Sequence, residues 1–204
     1  MGLIADINVI TVRGHDGTMK RVLIINGSPR RNGSDSAICK AAADIAKRHG
    51  YVPETVFVDD LSIKGCQACS ACKRTGYCIQ TDCMNDMIAR IKDSYMLILA
   101  MPVYFGAESA QMKTFTDRLY PIIRELGTIP DMGELRKATV IVTCGAPEGH
   151  MSYDGIVDRY RHVLGCMGIS DTTGAVIYGA DPATVMEKQS VIELLDIMEC
   201  QLRA

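Results

Sequence analysis

Four cysteines fall within thirteen positions, Cys66, Cys69, Cys72 and Cys78, in the spacing C-x2-C-x2-C-x5-C. Thiolates bind soft metals, so the spacing decides which metal chemistry is available. A tightly wound C-x2-C-x2-C loop supplies three of the thiolates that an iron–sulfur cubane needs. The fourth arrives five residues later, after a Thr-Gly turn able to fold it back, and no Pro follows it. Structural zinc usually pairs two separated C-x2-C knuckles, which three interleaved cysteines fit poorly. A catalytic thiol needs no such company. A small-residue loop that holds no metal stays open beside the cluster.

A second group of residues offers anion chemistry. "NGSPRRNGSDS" (26–36) follows an apolar run and precedes a helical pattern. Gly27 and Gly33 permit close backbone approach. Ser28, Ser34 and Ser36 bring hydroxyls, and Arg30 and Arg31 bring charge. A loop that opens a helix presents free N–H groups and the positive end of the helix dipole. It is neither GxGxxG nor GxxxxGK[ST], which disfavours a Rossmann dinucleotide site and a P-loop. A polar loop that binds nothing is the plain alternative.

The elements that must position these residues alternate strand and helix. "KRVLIING" (20–27) is a continuous apolar run, as expected of a strand buried on both faces. "SDSAICKAAADIAKRHG" (34–50) reads as a helix with Ser34 as N-cap and Gly50 just past its end. Further strands are expected at 54–60, 95–105, 137–145 and 170–179, and further helices at 85–93, 109–123, 152–168 and 182–202. This alternation predicts a parallel sheet with helices on both faces. Residues 1–18 fall outside it. "INVITV" (7–12) reads as an edge strand, an arm onto a neighbouring subunit, or a tail. Residues 19–204 are expected to form one domain, with a cysteine-rich insertion at about 62–83.

Composition narrows the classes. The net charge is −2, and nothing global points to nucleic acid or an anionic membrane. Apolar runs such as "YMLILAM" (95–101) are too short to span a bilayer. The first residues lack a basic region followed by a sustained apolar one, so a cytoplasmic, thiol-reducing location is expected. Nine cysteines there favour metal binding, catalysis or plain burial over a disulfide framework.

"INGSPRRNGSDS" (25–36), "CQACSACKRTGYC" (66–78), "MPVYFGAESAQMKTFTDR" (101–118) and "VTCGAPEG" (142–149) together resemble the flavodoxin-like NADPH-dependent FMN reductases, and within them most the iron–sulfur flavoproteins. The resemblance runs from about Lys20 to the C-terminus, strongest over the first two-thirds. It implies a doubly wound five-stranded parallel sheet in the order 2-1-3-4-5, with FMN at its carboxyl edge. Ser28, Arg30, Asn32, Ser34 and Ser36 would cradle the phosphate. Pro102, Val103, Tyr104, Phe105 and Gly106 would border the isoalloxazine. Thr143, Cys144, Gly145 and Gly149 would flank its other edge. All four cysteines, Cys66, Cys69, Cys72 and Cys78, would ligate one [4Fe–4S] cluster.

The implied activity is NAD(P)H-dependent reduction through FMN. The donor would be a reduced nicotinamide or an electron-carrier protein, and the acceptor a small molecule such as a quinone, or a protein. A homodimer or homotetramer is implied as well. A non-catalytic FMN-binding carrier or redox sensor is the rival class. Cys83 departs from the family pattern, as a fifth thiol that is either an alternative ligand or a disulfide partner for Cys78. Cys39, Cys166 and Cys200 are expected to be buried helix residues. Lys113 and Asp117 are read as a surface pair, and His150 as an exposed loop residue.

Overall fold

Strand β1 (Arg21–Asn26) is apolar on both sides because it lies in the middle of a sheet covered twice. Val22 and Ile24 pack into one buried cluster, and Leu23 and Ile25 into another. The period-2 alternation of the pleat makes this division. The computed structural model describes residues 11–14, 17–123 and 128–203.

From β1 the chain passes through α1 (Ser34–Arg48), β2 (Val52–Phe57), the short α2 (Ala71–Thr75) and α3 (Met84–Lys92). β3 (Met96–Tyr104) turns at once into the two-residue β4 (Ala107–Glu108) and then α4 (Ala110–Asp117). β5 (Lys137–Thr143), α5 (Asp154–Cys166), β6 (Asp171–Ile177) and α6 (Gln189–Arg203) complete the order. The five long strands pair in parallel, in the order β2-β1-β3-β5-β6. Counted among themselves they run 2-1-3-4-5, the order the family resemblance implies. The sixth strand was not anticipated: β4 pairs antiparallel with β3, matching Tyr104 to Ala107.

α1 and α6 cover one face of the sheet, burying Ile38, Ala42, Leu194 and Met198. α3, α4 and α5 cover the other with Met87, Ile91, Phe115, Tyr160 and Leu164. Among the described residues no helix is long and apolar enough to cross a membrane.

Three boundaries differ from the sequence reading. Gly33, not Ser34, is the N-cap of α1, and no side chain caps it. At the other end Gly50 adopts the expected left-handed conformation, with its N–H bonding Lys47 O. The last helix begins at Gln189, since Lys188 is extended and the stretch after Pro182 makes only a 3-10 turn at Val185–Glu187. Pro121 likewise converts the end of the 109–123 pattern into a 3-10 turn at Tyr120–Ile122.

Residues 7–10 of the candidate edge strand lie outside the described residues. Val12 beyond them donates its N–H to Gly50 O and accepts from Lys20 N, at 3.0 and 2.9 Å, while Arg13 bridges Met19 antiparallel. That contact is an isolated bridge, not a strand of the sheet.

Candidate cofactor site and cysteine loop

The carboxyl ends of β1, β3 and β5 carry the loops singled out in the sequence, as parallel strands require for a shared edge. The first loop is drawn tight by its own side chains. Asn26 Oδ1 accepts from Ser28 N at 2.9 Å, and Ser28 Oγ accepts from Arg30 N at 3.3 Å. Ser36 Oγ donates to Arg30 O at 3.0 Å and accepts from Asn26 Nδ2 at 3.2 Å. A Cβ on Gly27 would meet Met112 Cβ at 2.7 Å, so only glycine lets this backbone lie against α4.

Ser109 makes that approach firm. Its Oγ donates to Gly27 O at 2.7 Å and accepts from Met112 N at 3.2 Å, capping α4 and tying the first loop to the second.

One cleft is lined by Ser28, Arg30, Ser34, Pro102, Val103, Tyr104, Thr143 and Gly145, together with Gly33, Asp35, Ala180 and Pro182. Eight of the fourteen residues expected to meet a flavin are thus brought together. The other six sit differently. Asn32 is exposed, and Ser36 braces the loop from within. Phe105 and Gly106 form the two-residue tip of the β3–β4 hairpin, both with positive φ (49° and 88°), as a type I′ turn requires. Cys144 is buried in the core, its Sγ accepting from Ala146 N. Gly149 lies in a separate groove beside β6, with Met151 and Tyr178.

Of the two loop arginines only Arg30 lines the cleft. Arg31 is turned away, paired with Asp60 and stacked 4.0 Å from the Phe57 ring.

The uncapped start of α1 leaves its first N–H groups without an intrahelical partner. Asp35 is buried there. Thr143 Oγ1 donates to its Oδ2 at 3.0 Å, and its Oδ1 has no partner among the described residues. Burial pushes its carboxyl up to about 6, against the pull of the Thr143 hydroxyl. Asp35 and Ser109 carried no signal in the sequence, because the bonds that define them cross 108 and 82 residues.

The four cysteines of the 66–78 stretch line one small cavity, along with Arg118 and Pro121. The loop winds tightly: Ala68 and Ser70 both take left-handed φ (52° and 56°), each costing about 1 kcal/mol or more in a non-glycine residue. All nine cysteines are unpaired, and Cys78 and Cys83 make no disulfide. Among the described residues no group of three or more Cys, His, Asp or Glu side chains is gathered closely enough to hold one metal ion.

Cys83 caps α3 instead, its carbonyl accepting from Met87 N at 3.0 Å. Cys39 is buried as expected, whereas Cys166 and Cys200 are exposed on the outer sides of α5 and α6. Lys113 and Asp117 form the expected surface pair, and His150 is exposed.

Arg118 closes the quoted 101–118 stretch, but its pairing with Asp82 was not anticipated. The guanidinium, 1% exposed, donates to the two Asp82 carboxylate oxygens at 2.7 and 2.8 Å. This contact holds the Asp82 carboxyl below its ordinary range.

A family model described as NADPH-dependent FMN reductase matches residues 20–180. An iron-sulfur flavoprotein of Archaeoglobus fulgidus is 33% identical over 169 residues, covering 82% of this chain and 72% of that protein. An iron-sulfur flavoprotein of Methanosarcina thermophila is 35% identical over 94 residues, 46% of this chain and 49% of the relative. The match therefore spans about half the length of the second relative.

Among solved structures, an FMN-dependent NADH-azoreductase of Bacillus anthracis in complex with FMN superposes with a TM-score of 0.69 at 16% identity, covering 90% of this chain and all of that one (100%). An NAD(P)H:quinone oxidoreductase of Methanothermobacter marburgensis gives 0.67 at 17%, covering 91% and 96%. At such identities the likeness concerns the fold.

Proposed function

The chain belongs to the NADPH-dependent FMN reductase family, and on that premise we propose that it is an FMN-dependent oxidoreductase, taking electrons from NAD(P)H and passing them to a quinone-type or protein acceptor. One observation carries this reading. The Ser28–Arg30 loop, the uncapped start of α1 and the Tyr104 end of β3 converge on a single cleft at the carboxyl edge of the sheet.

The residues present suit the phosphate end of FMN. Arg30 supplies a cation, Ser28 a hydroxyl, and α1 free N–H groups at the positive end of its dipole. Gly27 and Gly33 keep the backbone close where a Cβ would meet Met112 or Arg30. Bound FMN supplies hydride and single-electron chemistry at its ring. The chain's part is to hold the phosphate, aim the ring and exclude water from it.

The cleft is about 110 Å³, smaller than the roughly 300 Å³ at which sites that bury a whole ligand begin. One chain would thus enclose the phosphate end, while the ring would lie against a hairpin whose Tyr104 and Phe105 are exposed. A second copy laid over that hairpin would bury the ring. This favours a homodimer or homotetramer.

We further infer that Cys66, Cys69, Cys72 and Cys78 hold a [4Fe–4S] cluster. Four unpaired thiols around one cavity form the right donor set. A cubane gives each iron its own thiolate and so needs wider-spaced sulfurs than a zinc ion, whose sulfurs all lie ~2.3 Å from one centre. The cluster would convert two-electron into one-electron steps.

The test is oxidation of NADH and NADPH by the purified flavoprotein, with a quinone and with free FMN as acceptors. Turnover with either nicotinamide supports the reductase. A yellow protein that oxidises neither leaves an electron carrier as the better reading.

A further inference from the structure

Arg118 stands at the end of α4 and is buried on every side. Its N–H groups are distributed in a way that packing alone does not require. One terminal nitrogen donates to Lys64 O at 2.7 Å, just before the cysteine stretch, and to Asp82 just after it. The other donates to Asp82 and to the Cys78 sulfur, at 3.4 Å. A single planar group therefore joins the two flanks of the loop and touches one of its thiols.

The fifth donor, Nε–H, is buried with no partner among the described residues, although the side chain lines the cysteine cavity. A buried unpaired donor is costly to desolvate. An acceptor within the cavity would relieve that cost, and the sulfurs of a cluster are acceptors.

We propose that Arg118 is the positioning residue of the cysteine loop. It clamps Lys64 to Asp82, donates to sulfur in the cavity, and so fixes both the loop's hold on iron and the potential of the cluster. The inference rests on the cluster reading above. Hydrogen bonds to cluster sulfurs, and positive charge near them, stabilise the more reduced state and raise the potential. Lysine would keep the charge but not the planar fork that reaches four acceptor atoms on three residues at once.

The experiment is anaerobic reconstitution of the full chain with ferrous iron and sulfide, for the parent and for Arg118→Lys. Iron, sulfide and FMN per chain are measured, then the rate of iron loss to a chelator, then the potential by spectroelectrochemical titration. Expected for Arg118→Lys are unchanged FMN content, about tenfold faster iron loss, and a reduction equilibrium shifted about tenfold toward the oxidised cluster, which is about 59 mV for a one-electron couple. A role in folding alone would not move the potential.

Iron loss and potential equal to the parent's would overturn the proposal. If Arg118→Lys does not fold, the double variant Arg118→Met, Asp82→Asn removes the ion pair without stranding a buried charge, and is read against the same two expectations. A parent that takes up no iron while retaining FMN refutes the cluster reading itself, and this inference with it.

Discussion

The hydroxyl of Thr143, the last residue of β5, donates at 3.0 Å to the carboxyl of Asp35 in the first turn of α1. The bond joins two loops of the candidate flavin cleft, but leaves Oδ1 of Asp35 buried with no partner among the described residues. Burial therefore wins over hydrogen bonding, and the carboxyl titrates at about 6 rather than at 3.8. The folded chain binds this proton more tightly than the unfolded chain. Its contribution to stability is complete below about pH 4 and is lost as the pH rises through 6. The gap corresponds to on the order of 3 kcal/mol. Asp35→Asn is expected to be more stable than the parent by about 1–3 kcal/mol at pH 7, and equal to it near pH 4. Urea unfolding at the two pH values measures this. A variant less stable at pH 7 would show that the charged carboxylate is supported there.

Ser109 binds the two halves of the cleft floor through one oxygen, and its side chain is fully buried. Ser109→Ala removes the cap of α4 and strands the Gly27 carbonyl. The expected loss is roughly 2–4 kcal/mol, from about 1 for the cap and 1–3 for the unpaired carbonyl. FMN affinity should fall with it, since Ser28 follows directly. Denaturant unfolding together with flavin-fluorescence titration reads both quantities. Weakened stability with unaltered FMN affinity would detach the Gly27 loop from the phosphate.

The strands and the loops that form the cleft were legible in the sequence because they rest on local pattern, whereas the strand order followed from the family resemblance. Apolar runs such as 22–25, the glycine after α1 and the loop that opens it all act within a few residues. What escaped detection depends on contacts between distant segments. Nothing around Arg118 announces a partner 36 residues earlier, and Asp35 resembles any polar residue of a first helical turn until Thr143 is brought to it. The hairpin Tyr104–Ala107 was read as a loop because its tip holds Phe105 at positive φ, a conformation that side-chain type disfavours. Cys166 and Cys200 were expected inside because cysteine packs well. Their helices bury other faces: Tyr160 and Leu164 on α5, Leu194 and Met198 on α6.

Phe105 is fully exposed, and its strained φ of 49° is held by the turn it shares with Gly106 between the paired Tyr104 and Ala107. Such strain is retained where an exposed ring has work to do. Phe105→Gly is expected to raise the stability of the chain by about 1 kcal/mol, through relief of the left-handed conformation. It should at the same time lower kcat/KM for NAD(P)H oxidation, because the hairpin would lose its flat side chain. Thermal unfolding and steady-state kinetics on the same preparation decide the matter. Full activity in a stabilised variant would remove the hairpin tip from the site.

Cys69 and Cys83 make opposite predictions for iron. Cys69 lines the cavity shared with Cys66, Cys72 and Cys78, beside the left-handed residues Ala68 and Ser70. Cys83 sits at the start of α3 and does not line that cavity. Replacing the thiol at each position with a hydroxyl keeps the size and removes the soft ligand. Cys69→Ser is therefore expected to abolish iron and acid-labile sulfide in anaerobic preparations while FMN stays bound. Cys83→Ser should match the parent in all three. Iron retained by Cys69→Ser would reject that residue as a ligand, and iron lost from Cys83→Ser would bring the fifth thiol into the ligand set in place of one of the four.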